Sequence, residues 1–80
     1  MKSIQISLQM ANQVKKFVSI VQNYSFEIDL RSDRYVVDAK SILGIFSLDL
    51  SKPINVEIHA ADKDKAECDK LLEELKQFAA

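Results

Sequence analysis

Cysteine is nearly absent: Cys68 is the only one in 80 residues. An internal disulfide is therefore impossible and a thiolate metal cluster is excluded, a usage that fits a reduced compartment. Nothing near Cys68 is a strong base, so it reads as a small apolar residue on a helix and not as a reactive thiol. An excess of charge of either sign is also missing, since 11 Lys and Arg against 12 Asp and Glu leave a formal charge of −1. The basic surplus with which proteins hold phosphate backbones is not there, and no direct nucleic-acid binding is expected. No apolar run approaches the roughly 20 residues of a membrane helix. The start Met1-Lys2-Ser3-Ile4-Gln5 lacks the apolar segment of a signal peptide. The expectation is a cytoplasmic protein without membrane attachment. There is no repeat, linker or low-complexity tract, and residues 1–80 are expected to form a single domain around one core.

What is present is an ordinary globular composition, 48% hydrophobic and 29% charged. Ile4, Ile6 and Leu8 alternate with Ser3, Gln5 and Ser7, the period of a strand with one face on a core. From Gln13 to Tyr24 the period becomes helical, with Val14, Phe17, Val18, Val21 and Tyr24 on one side, and Asn12 is the expected N-cap. Phe26, Ile28 and Leu30 alternate again. After a tight break at Ser32-Asp33 the run Tyr35 to Ala39 continues as a second, β-branched strand, and the two read as a hairpin. Residues 42–48 suit a helix of about two turns capped by Ser41, with Gly44 inside it. Ile54, Val56 and Ile58 give a fourth strand after Pro53. Ala66, Cys68, Leu71, Leu72, Leu75 and Phe78 give an amphipathic closing helix, with Asp64 and Glu67 at the spacing of a capping box. The order βαββαβα is that of an α+β domain, a four-stranded sheet covered by helices on one face. Alternation does not fix the strand order.

The segment Asp38-Ala39-Lys40-Ser41-Ile42-Leu43-Gly44-Ile45-Phe46-Ser47-Leu48 holds the functional lead, a serine at the start of a short and unusually apolar helix. A serine there is a favoured N-cap, and capping alone accounts for it. The same helix start would also accept a phosphate on the serine, with Lys40 helping to neutralise the roughly 1.5 to 2 negative charges added. Ile42, Leu43, Ile45, Phe46 and Leu48 offer more apolar surface than two turns can bury. Helical spacing sends Ile45 and Leu48 inward and leaves Ile42, Leu43 and Phe46 as an exposed patch, which either meets a partner or covers the sheet edge. Gly44 either permits close approach of a partner or is a tolerated helix glycine.

This lysine-serine-hydrophobic-hydrophobic-glycine-hydrophobic run closely resembles the regulatory-serine segment of HPr, the histidine-containing phosphocarrier of the bacterial sugar phosphotransferase system. From Phe17 to about Leu72 the chain follows the HPr pattern without a gap, including Phe17-Val18 and Tyr24. The resemblance implies an HPr-like open-faced β-sandwich, an antiparallel sheet in the order 1-4-2-3 with three helices on one side. It also implies that Lys40, Ile42, Leu43 and Phe46 lie on the surface that in the family meets phosphotransferase enzymes, the HPr kinase and a carbon-catabolite transcription regulator. Two departures stand out. At the hairpin turn, where the family commonly has glycine, this chain has Arg34, a strained choice at positive φ unless the turn type has changed. In the loop after strand one, the family's G-x-H-x-R-P-like sequence is replaced by Leu8-Gln9-Met10-Ala11-Asn12-Gln13, with the histidine, arginine and proline falling on Met10, Asn12 and Gln13.

A phosphocarrier needs a nucleophilic nitrogen, N–H groups at a helix start and a nearby cation; of these the loop keeps only the helix start. The sole histidine, His59, ends strand four. With Asp62, Asp64 and Cys68 it could form a metal site, but the spacing matches no familiar pattern and a solvated histidine beside an acidic helix start is the preferred reading. Lys15, Lys16, Lys63, Lys65, Lys70 and Lys76 are spread among acids as solvated faces. The resulting expectation is a non-catalytic regulatory module without cofactor or metal, nearest to the catabolite-repression HPr homologues. Its partners would be proteins: an HPr kinase-like enzyme, a transcription regulator or a phosphotransferase component. The alternatives are a phosphocarrier using another residue, or a degenerate homologue acting only in association. The short connection near Met10 leaves monomer and strand-swapped dimer both open.

Overall fold

Side-chain alternation builds the sheet. The computed structural model describes residues 1–80 and contains β1 (Lys2–Ile6), α1 (Ala11–Val21), β2 (Glu27–Ser32), β3 (Tyr35–Asp38), α2 (Ile42–Phe46), β4 (Ile54–His59) and α3 (Lys65–Leu75). Single 3₁₀ turns at Asp62–Asp64 and Lys76–Phe78 flank α3. All pairings are antiparallel and the strand order is β1-β4-β2-β3, the order that the resemblance implied. Ile6, Ile28, Leu30, Ile54, Val56 and Ile58 face the three helices and are fully buried, together with Val14, Phe17 and Val21 of α1, Ile45 of α2, and Leu71 and Leu75 of α3. Phe17 and Phe78 meet edge to face at 5.9 Å between ring centroids, a geometry favoured by the ring quadrupoles. No helix is long and apolar enough to cross a membrane.

Several local expectations need correction. The hairpin turn is Asp33-Arg34, with Ser32 still in the strand opposite Tyr35. Positive φ falls on Asp33, at 53°, and not on Arg34. Aspartate tolerates this region better than most residues because its short polar side chain can bond locally, so the missing glycine is accommodated one position earlier. Helix α1 begins before Asn12. Its N-cap is Met10, whose N–H donates to Gln13 Oε1 at 3.0 Å, the return half of a capping box, which satisfies the N-cap residue's own N–H. Asp64 makes no side-chain cap bond, because the 3₁₀ turn already leads the backbone into α3. Helix α2 ends two residues earlier than the apolar pattern suggested, at Phe46, where the Ser47 hydroxyl donates to the Gly44 carbonyl at 2.5 Å. Ala66 is exposed, so the buried stripe of α3 starts at Cys68.

The C-terminus closes over β1. Ser7 N–H donates to Phe78 O at 2.8 Å, Ala80 N–H to Gln5 O at 3.2 Å, and Ile6 pairs with Ala79 as an isolated bridge. Part of the outer edge of β1 is thereby satisfied, and the β3 edge stays open.

Candidate functional site

The turn that presents Ser41 is built by Asp38. Its carboxylate Oδ1 accepts the Lys40 N–H at 2.9 Å while its carbonyl accepts the Ser41 N–H at 3.0 Å; this is how a short acidic side chain holds a turn. Between them Ala39 is fully buried and donates its N–H to Ile28 O at 2.9 Å, which anchors the turn to the sheet. Ser41 then stands extended, with φ −102° and ψ 106°, and its Oγ accepts the Gly44 N–H at 3.2 Å. Its side chain lies at the surface. The cap is therefore real, and it leaves the hydroxyl accessible.

Gly44 has a steric reason. A Cβ on it would come within 3.2 Å of Ser41 Oγ and 3.4 Å of Val37 Cβ, so a side chain here crowds the cap and strand β3 together.

On α2, Ile45 is buried, and Leu48 just beyond the helix is nearly so. Leu43 is 81% exposed and Phe46 46%. Ile42 differs from expectation, because it is half-buried and packed against the core; the first residue of a helix this short lies over the turn before it. Helices α1 and α2 pack together. Met10, at the head of α1, is 62% exposed, Asn12 is exposed and Gln13 is turned back to its capping bond. No imidazole is present in this loop.

Lys40 has a partner that the sequence did not suggest. Its Nζ donates to the carbonyls of Tyr24 at 2.6 Å and Phe26 at 3.1 Å, fastening the stretch between α1 and β2 to the start of α2. The ammonium is half-buried there and already committed. Tyr24 is tied down at its other end as well, its hydroxyl donating to Glu74 on α3. Burial first, then the hydrogen bond and charge of Glu74, push its phenol well above the ordinary value.

His59 is not gathered with Asp62, Asp64 and Cys68. Cys68 is buried in the core on α3. His59 instead faces the open side of the sheet, where its Nε2 lies 3.2 Å from Asp29 Oδ2. Glu57 is in the same cluster and receives the Arg31 guanidinium at 2.9 and 3.4 Å. The Arg31 hydrogen bond holds the Glu57 carboxyl below its usual range. A surface cleft of about 170 Å³, lined among others by Lys2, Ala61 and Cys68, is smaller than the roughly 300 Å³ at which small-molecule sites begin. Of the residues singled out around Ser41, Leu43 and Phe46 sit with it on open surface, whereas Lys40 and Ile42 are half-buried.

Comparison with known proteins settles the family. The family model described as "PTS HPr component phosphorylation site" matches residues 9–80. The chain belongs to the HPr family. Its relatives there are phosphocarriers of the phosphotransferase system that work through other proteins of that system. Among solved structures, HPr-C-His from Thermoanaerobacter tengcongensis is similar with a TM-score of 0.73 at 26% identity, over 95% of this chain and 92% of that one. The phosphocarrier protein HPr from Bacillus anthracis str. Ames is similar with a TM-score of 0.70 at 27% identity, over 99% of this chain and 94% of that one. No curated protein matches the chain.

Proposed function

We propose that this HPr-family protein is a non-catalytic regulatory module of the phosphotransferase system, which binds protein partners through α2 and is controlled by phosphorylation of Ser41. The observation that supports it most is the pairing of an accessible Ser41 hydroxyl with Leu43 and Phe46, two large apolar side chains left in water on the same five-residue helix. Apolar surface held out in this way costs solvation unless a partner covers it. The loop at residues 8–13 supports the non-catalytic half of the reading: Met10 and Asn12 have no lone pair basic enough to take a phosphoryl group, and Gln13 is occupied by its cap. Phosphate on Ser41 would add about 1.5 to 2 negative charges beside this apolar surface and so change which partner it fits.

The partner class is an HPr kinase-like enzyme, a transcription regulator or a phosphotransferase component, acting on residues 1–80 as one cytoplasmic domain without cofactor. Lys40 serves the site by positioning the turn that carries Ser41, since its ammonium is held by two carbonyls. The test is incubation with an HPr kinase and ATP followed by intact-mass analysis. One added phosphate on the wild type and none on Ser41→Ala is expected; equal labelling of the two proteins refutes the assignment. Treatment with phosphoenolpyruvate and the first enzyme of the system should leave the protein unlabelled, and acid-labile phosphate would instead make it a carrier.

A further inference from the structure

The open face of the sheet carries a row of carboxylates that the reading above does not use. Strand register sets Asp38 of β3 opposite Asp29 of β2, and Asp29 opposite Glu57 of β4, so three acids stand side by side across three strands. Like charges directly opposite one another destabilise a sheet. The row is only partly relieved. Asp38 accepts the Lys40 N–H, Glu57 is held by Arg31, and the one positive partner of Asp29 is His59, which is charged only when protonated. His59 lies two residues along β4 from Glu57 and therefore on the same face; strand pairing sets Asp29 directly opposite Glu57 and diagonal to His59, whose own opposite residue is Glu27.

One separation is that of metal ligands and the others are within a small side-chain movement of it. At metal–ligand bonds of ~2.1 Å, tetrahedral ligands stand ~3.4 Å apart. His59 Nε2 and Asp29 Oδ2 are 3.2 Å apart, and one ligand atom from each of Asp29, Glu57 and His59 lies within 4.8 Å of the other two. The side chains of Asp29 and Glu57 are largely shielded, and all three residues rise from paired strands, which restricts the movement needed to close the set. We propose that Asp29, Glu57 and His59 form a surface binding site for a divalent transition ion of the zinc class, with its remaining positions filled by water. One imidazole with two carboxylates suits zinc better than calcium or magnesium, which favour all-oxygen sets. The ion would add positive charge to an acid row that otherwise has Arg31 at Glu57 and, when protonated, His59 at Asp29. Arg31 is its competitor, because both oxygens of Glu57 are taken by the guanidinium and one must be released.

The experiment is titration of chelator-stripped protein with zinc chloride, followed by calorimetry and by the imidazole nitrogen signals of His59. One ion per chain is expected, with the His59 signals moving on binding. Asp29→Asn and His59→Gln, both near in shape to the native residues and outside the helix-covered core, should weaken binding at least about tenfold, the lower end of what even outer-shell partners contribute. Arg31→Gln should tighten it by freeing Glu57. No binding at about 1 mM zinc, a bare 4 kcal/mol of affinity, overturns the site. Affinity unchanged in His59→Gln places the ion elsewhere and also overturns it, and unchanged affinity in Arg31→Gln removes Glu57 and with it the three-ligand site.

Discussion

Replacing Lys40 with methionine separates two roles that this lysine could have beside Ser41. If its ammonium is a free surface charge kept for a partner or a phosphate, the substitution leaves folding untouched, because surface changes away from specific contacts stay within about 0.5 kcal/mol. The structure gives it two bonds instead, to Tyr24 O at 2.6 Å and Phe26 O at 3.1 Å. Hydrogen bonds to a charged group contribute about 1.5–3 kcal/mol each. At the low end for a half-buried pair the two together come to about 3 kcal/mol, from which about 1 kcal/mol is returned as side-chain entropy. Methionine keeps the apolar stem and loses only the head, so the loss falls on the bonds and not on packing. The expected cost is about 2 kcal/mol, out of a total stability of about 4–12 kcal/mol for a domain of this length. In urea, with a slope near 1 kcal/mol per molar, the midpoint should fall by about 2 M. In a thermal scan it should fall by about 10 °C. Lys15→Met, on the exposed side of α1, serves as control. A Lys40→Met midpoint equal to that of the control would refute the clasp and return Lys40 to the free surface.

Ser41→Ala should remove the bond to the Gly44 N–H and destabilise by about 1 kcal/mol, seen as a melting temperature about 4–8 °C lower; no shift would mean that the cap contributes nothing. Leu43→Ala and Ile45→Ala are two positions apart on α2 but should differ sharply: the exposed leucine should change stability by under about 0.5 kcal/mol while reducing partner binding, and the buried isoleucine should cost about 2–5 kcal/mol in denaturant titration. Tyr24→Phe tests the link to α3 through pH. The folded phenol titrates above its unfolded value, so the stability it lends is fully present below about pH 10 and is lost as pH rises beyond, where the unfolded chain releases its proton first. Stability followed by urea titration between neutrality and strongly alkaline pH should therefore fall more steeply for the wild type than for Tyr24→Phe, and parallel curves would contradict the assignment.

The elements legible in the sequence were those whose residues repeat. Period two in Ile4-Ile6, Ile28-Leu30 and Ile54-Val56-Ile58 marks strands with one buried face, and all of these are buried in the core except Ile4, which is half-buried against it. Val14, Phe17, Val18 and Val21 mark α1 in the same way. Helix ends were less legible because capping depends on a few hydrogen bonds and not on a repeat. Asn12 is by composition a better cap than Met10, yet Gln13 reaches back to the Met10 N–H and moves the helix start. The shift of positive φ from Arg34 to Asp33 has the same origin, since a two-residue turn offers two places for the strained residue and the aspartate accepts it at less cost.

Around the candidate site, local contacts were visible and distant ones were not. Ser41 as cap, Ile45 inward and Leu43 and Phe46 outward follow from spacing within one helix. Lys40 reaching the carbonyls of Tyr24 and Phe26, Tyr24 reaching Glu74, and Asp29 meeting Glu57 and His59 join residues 14 to 50 positions apart or lying on different strands. No periodicity encodes such pairs. For the last of them a partial signal existed: Glu57 and His59 at strand spacing lie on one face, and once the order β1-β4-β2-β3 is known, β2 must supply their neighbour. The strand order came from resemblance and not from alternation, and it is this order that sets Asp29 beside His59. The pleat keeps His59 on the open face in any strand order, and a different neighbour for β4 would have put another residue in the place of Asp29. With β4 between β1 and β2, the chemistry of His59 is decided by the strand beside it.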